Sequence, residues 1–368
     1  MPEVIIKNSI EDFSREKWNN CFQNVIENYD YLLATEKANI KGFGFFYIAV
    51  VEEEKILAAT SAFITYYSLD STAQGILKKI LLNIKKIFPN FLGFKLACIG
   101  SIETEINYLG FYPGIKEENK KVYLNKILNS FEQFIKEKNI NLLGVKDVPS
   151  SEEYLWKDIM LSLNYKPMNG LPTAILEVNF KDINEYLNSL SKGTKINMKR
   201  KLKTKELITI NTVENLQQLN GLIDLYYETK NRSELQFGEL TDEYFKKNFK
   251  YMKEKAIYSV FLIEDKIIGF NFALFNKDIF IDKFICTKSY EGRKYNLYFI
   301  NWFRNLEYCI KNNIKIYQTG QGAYKEKIRL KSKLLDNTIY FKHRIIWIDK
   351  ILRFISPLLE IKNLKNKI

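Results

Sequence analysis

Residues 314–329 read IKIYQTGQGAYKEKIR, and this stretch decides how the second half of the chain folds. A short apolar strand around Ile314 and Ile316 leads into the turn 319–322, and a charged helix begins at Ala323 or Tyr324. Two glycines in the turn allow a sharp bend and a close approach of a ligand, because neither carries a Cβ atom. The alternative is an ordinary strand–turn–helix junction in which the glycines serve geometry only.

The start of that helix is a candidate substrate site. The first N–H groups of a helix have no partner within the helix, and here they point back into the glycine turn. Tyr324 and Lys325 lie on the first helical turn, where a phenol and an ammonium group could both reach a bound substrate. We expect Gln321 and Gly322, in the turn itself, to contact the same substrate.

Length and charge indicate a globular protein with an anionic partner. A chain of 368 residues predicts two or three domains, and 46% hydrophobic and 14% aromatic residues supply enough material for packed cores. The formal net charge of +13 predicts affinity for anions such as CoA phosphates, nucleotides, tRNA or an anionic membrane face. The alternative is that the positive charge reflects a generally lysine-rich composition and no particular partner.

Cysteine and histidine usage restricts the chemistry. The four cysteines lie far apart without a C-x-x-C motif, which argues against a disulfide framework and for a reducing compartment. His343 is the single histidine, so multi-histidine zinc sites are excluded and a Ser-His-Asp triad is not expected. We therefore expect no metal site.

The sequence contains no recognisable targeting or spanning segment. Residues 1–18 carry acidic groups and lack the apolar core of a signal peptide. No apolar run approaches the ~18–20 residues that cross a bilayer. We expect a cytoplasmic protein.

An internal repeat predicts the fold class. Residues 45–58 and 258–270 each consist of two apolar runs joined by an acidic turn, which is the pattern of a β-hairpin. Each pair is followed in the same order by an apolar strand, a helix and a short strand, namely 94–99, 122–138 and 141–145 in the first half and 279–286, 296–313 and 314–317 in the second. Two copies of one α+β unit are expected, with mixed, mostly antiparallel sheets flanked by helices. The alternative is a chance likeness of hairpins.

The repeat sets the expected domain limits. We expect an N-terminal domain at 1–185, a C-terminal domain with the donor site at 186–345 and an amphipathic tail at 346–368. The boundary should follow the strand at 173–178 and lie between residues 180 and 192, where no Pro/Gly-rich linker is present.

The segment 191–206, SKGTKINMKRKLKTKE, is the most basic part of the chain. Lys192, Lys195, Lys199 and Lys203 fall on one helical face, where like charges repel each other, and Arg200 lies in the same segment. An anionic partner would explain the stripe, and a solvated helix face is the alternative.

A second candidate site lies at residues 287–296, TKSYEGRKYN, between an apolar strand and a helix. Gly292 allows a turn here, and Arg293 and Lys294 lie beside the helix N-terminus. Backbone N–H groups and two cations in this arrangement can hold a pyrophosphate.

Two segments mix apolar and basic residues. The tail 345–368 contains IIWIDKILRFISPLL, and residues 76–88 read ILKKILLNIKKIF. Each is expected either as a helix docked on its domain or as a basic amphipathic segment on a membrane surface.

The order of elements resembles the GNAT acyltransferase fold, and two such units joined by the basic segment resemble the FemAB-like group. That group comprises peptidoglycan aminoacyltransferases and their acyl-CoA-using relatives. The basic segment, the Gly292 turn and the GQGAYK stretch carry the resemblance, helped by VKDVP at 145–149. GNAT enzymes that bind acetyl-CoA usually have Gln/Arg-x-x-Gly-x-Gly/Ala in this turn. Ser289, Gly292 and Lys294 occupy those positions here, so one of the three fits.

The resemblance implies transfer of an acyl group to an amine of a small-molecule, peptide or cell-envelope acceptor, without a covalent enzyme intermediate. The donor would be an acyl-CoA, such as acetyl-CoA, or an aminoacyl-tRNA, and no metal would take part. Tyr324 is expected as general acid and Asp282 as base, with the backbone N–H groups after Phe284 stabilising the oxyanion. The expected donor contacts are Phe284, Cys286, Thr287, Gly292, Arg293, Lys294 and Asn296, and the expected acceptor or substrate contacts are Lys192, Lys195, Arg200, Asp147, Gln321, Gly322 and Lys325.

Two other functions are compatible with the same sequence. A degenerate acyltransferase fold could bind tRNA through residues 191–205 without catalysis. The tail could alternatively hold the protein at an anionic membrane surface.

Overall fold

The computed structural model describes residues 1–68, 83, 86, 93–233 and 239–359. Apart from Asn83 and Lys86, the basic segment 76–88 lies outside the described residues. Contacts divide the described chain into two compact units. The first unit contains the described residues up to 172, residue 239 and residues 336–359, and the second contains 173–233 and 240–335.

Both units contain strands and helices. The strands are β1 (Glu3–Lys7), β2 (Phe43–Glu52), β3 (Lys55–Ser68), β4 (Gly93–Ile99), β5 (Leu109–Phe111), β6 (Leu142–Pro149), β7 (Lys166–Asn169), β8 (Thr173–Glu177), β9 (Thr209–Thr212), β10 (Ala256–Ile263), β11 (Lys266–Phe275), β12 (Ile279–Thr287), β13 (Ile316–Gly320), β14 (Lys333–Leu335) and β15 (Asn337–His343). The helices are α1 (Arg15–Cys21), α2 (Tyr29–Lys37), α3 (Glu117–Glu137), α4 (Glu153–Ser162), α5 (Ile183–Ser189), α6 (Lys192–Leu202), α7 (Leu222–Arg232), α8 (Asp242–Tyr251), α9 (Ser289–Lys294), α10 (Leu297–Lys311), α11 (Tyr324–Arg329) and α12 (Ile346–Leu359). Short 3₁₀ turns occur at Ile10–Asp12, Ser150–Glu152, Lys203–Leu207 and Leu216–Leu219.

Both halves contain the hairpin that the sequence predicts. β2 and β3 are joined by Glu53 and Glu54, and β10 and β11 by Glu264 and Asp265; all four residues have positive φ. Two consecutive residues with positive φ form the turn whose twist matches that of the flanking strands. The acidic pairs are therefore hairpin tips in both copies, and the predicted α+β fold with two tandem units is confirmed.

Each sheet contains a strand from the other half of the sequence. The first sheet has the order β1-β2-β3-β4-β6-β15-β7, with β5 paired to β3, and the second has the order β14-β8-β13-β12-β11-β10-β9. β15 pairs on both sides, with β6 and β7, while β8 pairs with β13 and β14. The compact units therefore differ from the expected limits 1–185 and 186–345, because strand pairing and not chain order decides which sheet a segment completes.

Apolar helix faces cover the sheets. In the first unit α3 buries Leu124, Ile127 and Phe131 against the sheet core. In the second unit α10 carries the stripe expected from helical spacing, with Phe299, Phe303 and Leu306 buried and Ile310 partly buried. Within the described residues, no helix is both long and apolar enough to cross a membrane.

Tyr340 tests whether β15 belongs to the core of the first unit. Its ring is fully buried there, and its hydroxyl has no hydrogen-bond partner in the described part of the chain. Replacing it by alanine should lower the free energy of unfolding by about 3–5 kcal/mol, because a ring-sized cavity remains. Replacing it by phenylalanine should cost less than about 1 kcal/mol, since the lost hydroxyl makes no bond. Urea unfolding of both variants measures the difference, and equal effects would contradict a core position for β15.

Candidate functional site

Parallel strands β12 and β13 separate in the second unit. They pair only from Ile279 to Ile281 with Ile316 to Gln318, whereas β12 continues to Thr287 in contact with β11. An opening at the carboxyl ends of adjacent parallel strands is a common place for a ligand in α/β sheets. This opening is the candidate functional site.

The equivalent strands of the first unit, β4 and β6, differ at this point. They pair up to Ile99, the last residue of β4, opposite Val145. The next residue is Gly100, with φ +121°, and a Cβ atom there would lie 2.7 Å from Cγ of Lys146. The Lys146 ammonium group donates to the carbonyl oxygens of Ser101 and Thr104. The side chain of Lys146 thus fills the first unit at the point where the second unit is open.

A β-bulge lies at the edge of the opening. The ladder pairs Phe272 with Phe284 and Ala273 with Asp282, so Lys283 is an extra residue on β12. A bulge takes the extra residue out of the regular ladder and redirects the neighbouring side chains. Backbone N–H groups near Lys283 are therefore candidates to meet a ligand in the opening.

The bulge also separates the environments of neighbouring residues. Asp282 bonds to α10, whereas Phe284 lies on the other side of the sheet, in an aromatic cluster with rings from α7, α8 and β11. The cluster comprises Tyr226, Tyr244, Phe245, Phe272 and Phe284. The side chain of Phe284 therefore packs within this cluster.

The Asp282 carboxylate accepts hydrogen bonds from three elements. Asn271 Nδ2 on β11 donates to Oδ1 at 2.6 Å, and Asn301 Nδ2 on α10 and the Tyr317 hydroxyl on β13 donate to Oδ2, both at 3.0 Å. Burial raises the pKa of Asp282 above its ordinary value, although the bonds from Asn271 and Tyr317 act in the opposite direction. A carboxylate with a raised pKa is a better proton acceptor at neutral pH.

A second layer of polar groups orients the first. Asn305 Nδ2 lies 3.3 Å from Asn271 Oδ1 and 3.4 Å from the Tyr317 hydroxyl, and Arg304 donates to Asn305 Oδ1 at 3.2 Å. Asn271 Nδ2 also donates to the Phe284 carbonyl at 2.8 Å, which holds the bulge in place. The network thus joins β11, β12, β13 and α10.

Two buried polar atoms beside this network have no hydrogen-bond partner in the described part of the chain. They are Asn301 Oδ1 and the Tyr298 hydroxyl. Burial raises the pKa of Tyr298, and the nearby charge of Asp282 raises it further. Buried polar groups are normally paired, so unpaired ones at the edge of an opening are consistent with a ligand there.

The turn before α11 has the geometry that its glycines predict. Gly320 and Gly322 have φ of +84° and +87°, and Ala323 follows with φ +47°. A Cβ atom at Gly322 would meet nothing within 4 Å, so Gly322 is required for its backbone conformation. Ala323 has a Cβ atom and still adopts a left-handed conformation, which is uncommon outside functional or strongly constrained segments.

Helix α11 directs two side chains inward. Tyr324 is 3% exposed and Lys327, one turn later, is 4% exposed, while Lys325 points to solvent. The Lys327 ammonium group donates to the Gly320 carbonyl at 2.8 Å, and its charge opposes the rise in the pKa of Asp282. Lys327 therefore lies near the opening, whereas the sequence analysis predicted Lys325 as the substrate contact.

The expected pyrophosphate turn is a helix. Residues Ser289–Lys294 form α9, and the Ser289 N–H donates to the Glu228 carboxylate at 2.5 Å. Gly292 does not bend the chain: a Cβ atom there would lie 2.4 Å from Oγ1 of Thr287, so the glycine is needed for close packing. The segment is therefore a helix and not an open turn, and a carboxylate already accepts from its first N–H group; anion binding by this segment stays a prediction.

The two cations of α9 have local partners. The Arg293 guanidinium donates to the carbonyl and hydroxyl of Ser289, and the Lys294 ammonium lies 5.7 Å and 5.0 Å from the ring centres of Tyr290 and Tyr295. Both side chains are exposed and can reorient. Their role in donor binding stays a prediction.

The remaining predicted donor residues have structural surroundings. Burial raises the pKa of the Cys286 thiol, which disfavours a nucleophilic thiolate. The Thr287 carbonyl accepts from Thr229 and Arg232 of α7. Asn296 is the residue before α10, in a left-handed conformation, and its side chain does not cap the helix.

The basic helix α6 packs against α10. Its N-terminus is capped by Ser191, whose hydroxyl accepts from the Thr194 N–H. Lys201 is half-buried with its ammonium 3.4 Å from the ring centre of Phe299, and burial lowers its pKa while Glu326 of α11 raises it. The C-terminal part of α6 therefore lies near α11.

Most of the predicted basic residues of α6 and of the turn after it are exposed, namely Lys192, Lys199, Arg200 and Lys203. The Lys195 ammonium group donates to Asn188.

Asp147 belongs to the first unit. It is 6% exposed, has φ +50° and pairs with Lys146 at 3.0 Å. Its carbonyl also accepts from the Asn107 N–H. These contacts indicate a structural residue, and its expected contact with an acceptor stays a prediction.

Sequence reasoning missed most of the network around Asp282. One available signal was the pair Asn301 and Asn305, which are four residues apart on the otherwise apolar face of α10 and are fully buried. In the described part of the chain, no group of three or more His, Cys, Asp or Glu side chains could hold a metal ion. The residues missed are Asn271, Tyr298, Asn301, Asn305, Tyr317 and Lys327.

Comparison by sequence finds only distant relatives. No protein-family profile matches the chain. It is 21% identical over 322 residues to the putative 8-amino-7-oxononanoate synthase 2 of two Mycobacterium tuberculosis strains. The match covers 85% of this chain and 41% of the relative, so the chain spans about two fifths of the length of the curated relatives it matches.

Comparison by structure identifies the fold over nearly the whole chain. FemX is similar with a TM-score of 0.61 and 11% identity, over 96% of this chain and 100% of that one. A tandem GNAT protein from the clavulanic acid biosynthesis pathway has a TM-score of 0.55 and 8% identity, over 94% and 99%. The C-terminal domain of a putative lysylphosphatidylglycerol synthetase from Agrobacterium fabrum has a TM-score of 0.51 and 10% identity, over 94% and 97%. This chain therefore has the FemAB-like tandem GNAT fold.

Proposed function

We propose that this protein is a GNAT-type N-acyltransferase whose second unit holds the activated acyl group. The observation that carries the proposal is the separation of β12 and β13 next to the Asp282 network, where two buried polar atoms have no hydrogen-bond partner among the described residues. The first unit has the same strands but is filled there by Lys146. One donor site per chain, in the second unit, is the expectation.

Asp282 is proposed as the general base. An amine must lose a proton before or during its attack on a carbonyl, and free amines have pKa values near ~8–10. Burial raises the pKa of Asp282 above its ordinary value, and the bonds from Asn271, Asn301 and Tyr317 fix the orientation of the carboxylate. The proton of the amine would pass to this carboxylate as the new N–C bond forms.

The bulge at Lys283 is proposed to stabilise the oxyanion. Negative charge develops on the carbonyl oxygen during acyl transfer, and fixed backbone N–H groups stabilise it without reorganisation. The bulged residue and Phe284 are the candidates, since the ladder is irregular between Phe272 and Ala273 on the partner strand.

Tyr324 is proposed as the general acid that protonates the leaving group. It is on the inward face of α11 together with Lys327, whose positive charge is felt by Asp282. A neighbouring cation favours release of a phenolic proton. Base and acid would then lie on β12 and α11, on two sides of one opening.

An aminoacyl-tRNA is proposed as the donor in preference to an acyl-CoA. The Glu228 carboxylate at the first N–H of α9 would repel a pyrophosphate bound there, and one of three glycine-motif positions fits. The exposed cations of α6 instead offer a track for the phosphates of a polynucleotide, and the C-terminal part of that helix lies near α11.

Replacing Asp282 by asparagine should lower turnover by about 10²-fold or more, because asparagine cannot accept the proton. Wild-type kcat/KM should fall as pH decreases through the raised pKa of Asp282, and the variant should lack this acidic limb. Asp265→Asn, at an exposed hairpin tip, is the matched control. The rate of donor deacylation with a panel of amines, measured across pH, gives the turnover and its pH dependence. Wild-type turnover in the Asp282 variant would show that Asp282 is not the base.

Replacing Tyr324 by phenylalanine should lower kcat by about 10²-fold while donor affinity stays nearly unchanged, since only the acidic hydroxyl is lost. Tyr290→Phe, at an exposed tyrosine of α9, is the control for loss of a hydroxyl. Pre-steady-state donor consumption separates chemistry from binding. Unchanged kcat in the Tyr324 variant would exclude this residue from proton transfer.

The choice of donor is testable by thermal shift with acetyl-CoA, longer acyl-CoAs and aminoacylated tRNA. A donor that binds only the folded state raises the melting temperature. The tRNA should raise it by a few degrees, and a charge-reversed Lys199→Glu/Arg200→Glu variant should lose that shift, while Arg293→Glu/Lys294→Glu should retain it. A shift with acyl-CoA that depends on Arg293 and Lys294 would instead identify CoA as the donor.

A further inference from the structure

Helix α12 exposes large apolar side chains on its outer face. Trp347 is 65% and Phe354 is 82% exposed, and Ile346 and Ile351 are exposed as well. Residues 347, 351 and 354 follow one another at helical spacing, so they form a continuous stripe. A surface helix of a globular protein normally carries polar residues on this side.

The inner face of α12 is apolar too. Leu352 is buried, and Ile348 and Ile355 pack with it against Leu142 and Phe94 of the first unit. The helix is therefore docked on its own unit through one face and still presents a second apolar face. The outer stripe is not needed to hold the helix in place.

Cations line one edge of the outer stripe. Lys350 is exposed and pairs with no carboxylate in the described part of the chain. Beside it lies a cleft of about 470 Å³, whose charged lining is predominantly basic. Its ionisable lining residues are Glu132, Lys342, His343, Arg344, Asp349, Lys350 and Arg353.

We propose that α12 lies in the plane of an anionic phospholipid surface. Its outer stripe would enter the boundary between headgroups and acyl chains, and Lys350 and Arg344 would meet lipid phosphates from the adjacent edge. Asp349, Lys350 and Arg353 interrupt the apolar residues of the helix, which fits a helix on the membrane surface and not one that crosses it.

Two features favour a lipid surface over a protein partner. An amphipathic tryptophan such as Trp347 is typical of membrane interfaces, where its ring is apolar and its N–H is hydrated. The charge is complementary to anionic headgroups, because Lys350 lies beside the stripe and pairs with no carboxylate in the described part of the chain. This membrane contact is independent of the proposed acyl transfer.

Flotation of the full-length protein with phosphatidylcholine vesicles, with and without phosphatidylglycerol, tests the surface. The protein should float with the anionic vesicles, and Trp347→Ser/Phe354→Ser should weaken this binding by more than about tenfold. Lys350→Glu should weaken it by about fivefold or more, and high salt should do the same. Leu207→Ser, at an exposed leucine of the second unit, is the matched control.

Tryptophan fluorescence gives a second readout. Of the four tryptophans, Trp18, Trp156 and Trp302 are buried, so Trp347 alone is exposed to solvent. Vesicles should shift the emission to shorter wavelength and protect it from acrylamide. In Trp347→Phe this optical change should vanish while flotation persists, because phenylalanine keeps the stripe apolar.

Flotation of the Trp347→Ser/Phe354→Ser variant at the wild-type level would overturn the proposal, as would failure of the folded wild-type protein to float with anionic vesicles. Circular dichroism melting of the variants checks that they are folded. A concentration-dependent dimer that the same double substitution dissociates, without vesicle binding, would assign the stripe to a second copy of the chain and not to lipid.

Discussion

The partly buried, hydrogen-bonded carboxylate of Asp282 is the constraint on which the architecture of the second unit depends. Removing a charge from water costs several kcal/mol unless hydrogen bonds replace the lost hydration. Here the replacement comes from Asn271, Asn301 and Tyr317, which belong to β11, α10 and β13. Three elements must therefore keep their positions relative to β12 for the charge to be tolerated. The opening between β12 and β13 is fixed by the same bonds that satisfy its carboxylate.

The two tandem units differ at the residue that directly follows the last residue of β12 paired with β13 in the second unit, and the last residue of β4 paired with β6 in the first. In the second unit that position is Asp282, and in the first it is Gly100, where an added Cβ atom would approach Cγ of Lys146 within 2.7 Å. The Lys146 ammonium group donates to two carbonyl oxygens and pairs with the Asp147 carboxylate. At this place in the fold the second unit thus has a hydrogen-bonded carboxylate beside strands that have stopped pairing, and the first unit has the packed side chain of Lys146.

Exchange of strands makes the two halves of the sequence interdependent. β15 is an inner strand of the first sheet, paired on both sides, and β8 is an inner strand of the second. Neither half of the sequence contains a complete sheet. The local sequence does not predict which sheet a strand joins. A strand pattern indicates which side chains are buried, and not which sheet edge accepts the backbone hydrogen bonds.

Local patterns determined the elements of this protein. Alternating apolar runs and acidic tips predicted the hairpins β2–β3 and β10–β11, and the stretch at 314–329 predicted strand, glycine turn and helix in the observed order. The repeat and the resemblance predicted the tandem fold. Each of these depends on residues close together in the sequence, where periodicity and positive φ are decided.

The tertiary structure alone decided the site. Asn271, Asn301, Asn305 and Tyr317 converge on Asp282 from segments up to 46 positions apart, and Glu228 of α7 accepts from the first N–H group of the helix at 289–294. Sequence reasoning chose Asp282 and Tyr324 as candidates but could not supply the partners. A hydrogen bond between distant segments exists only after the sheet and helix have packed, so its geometry is absent from any local pattern.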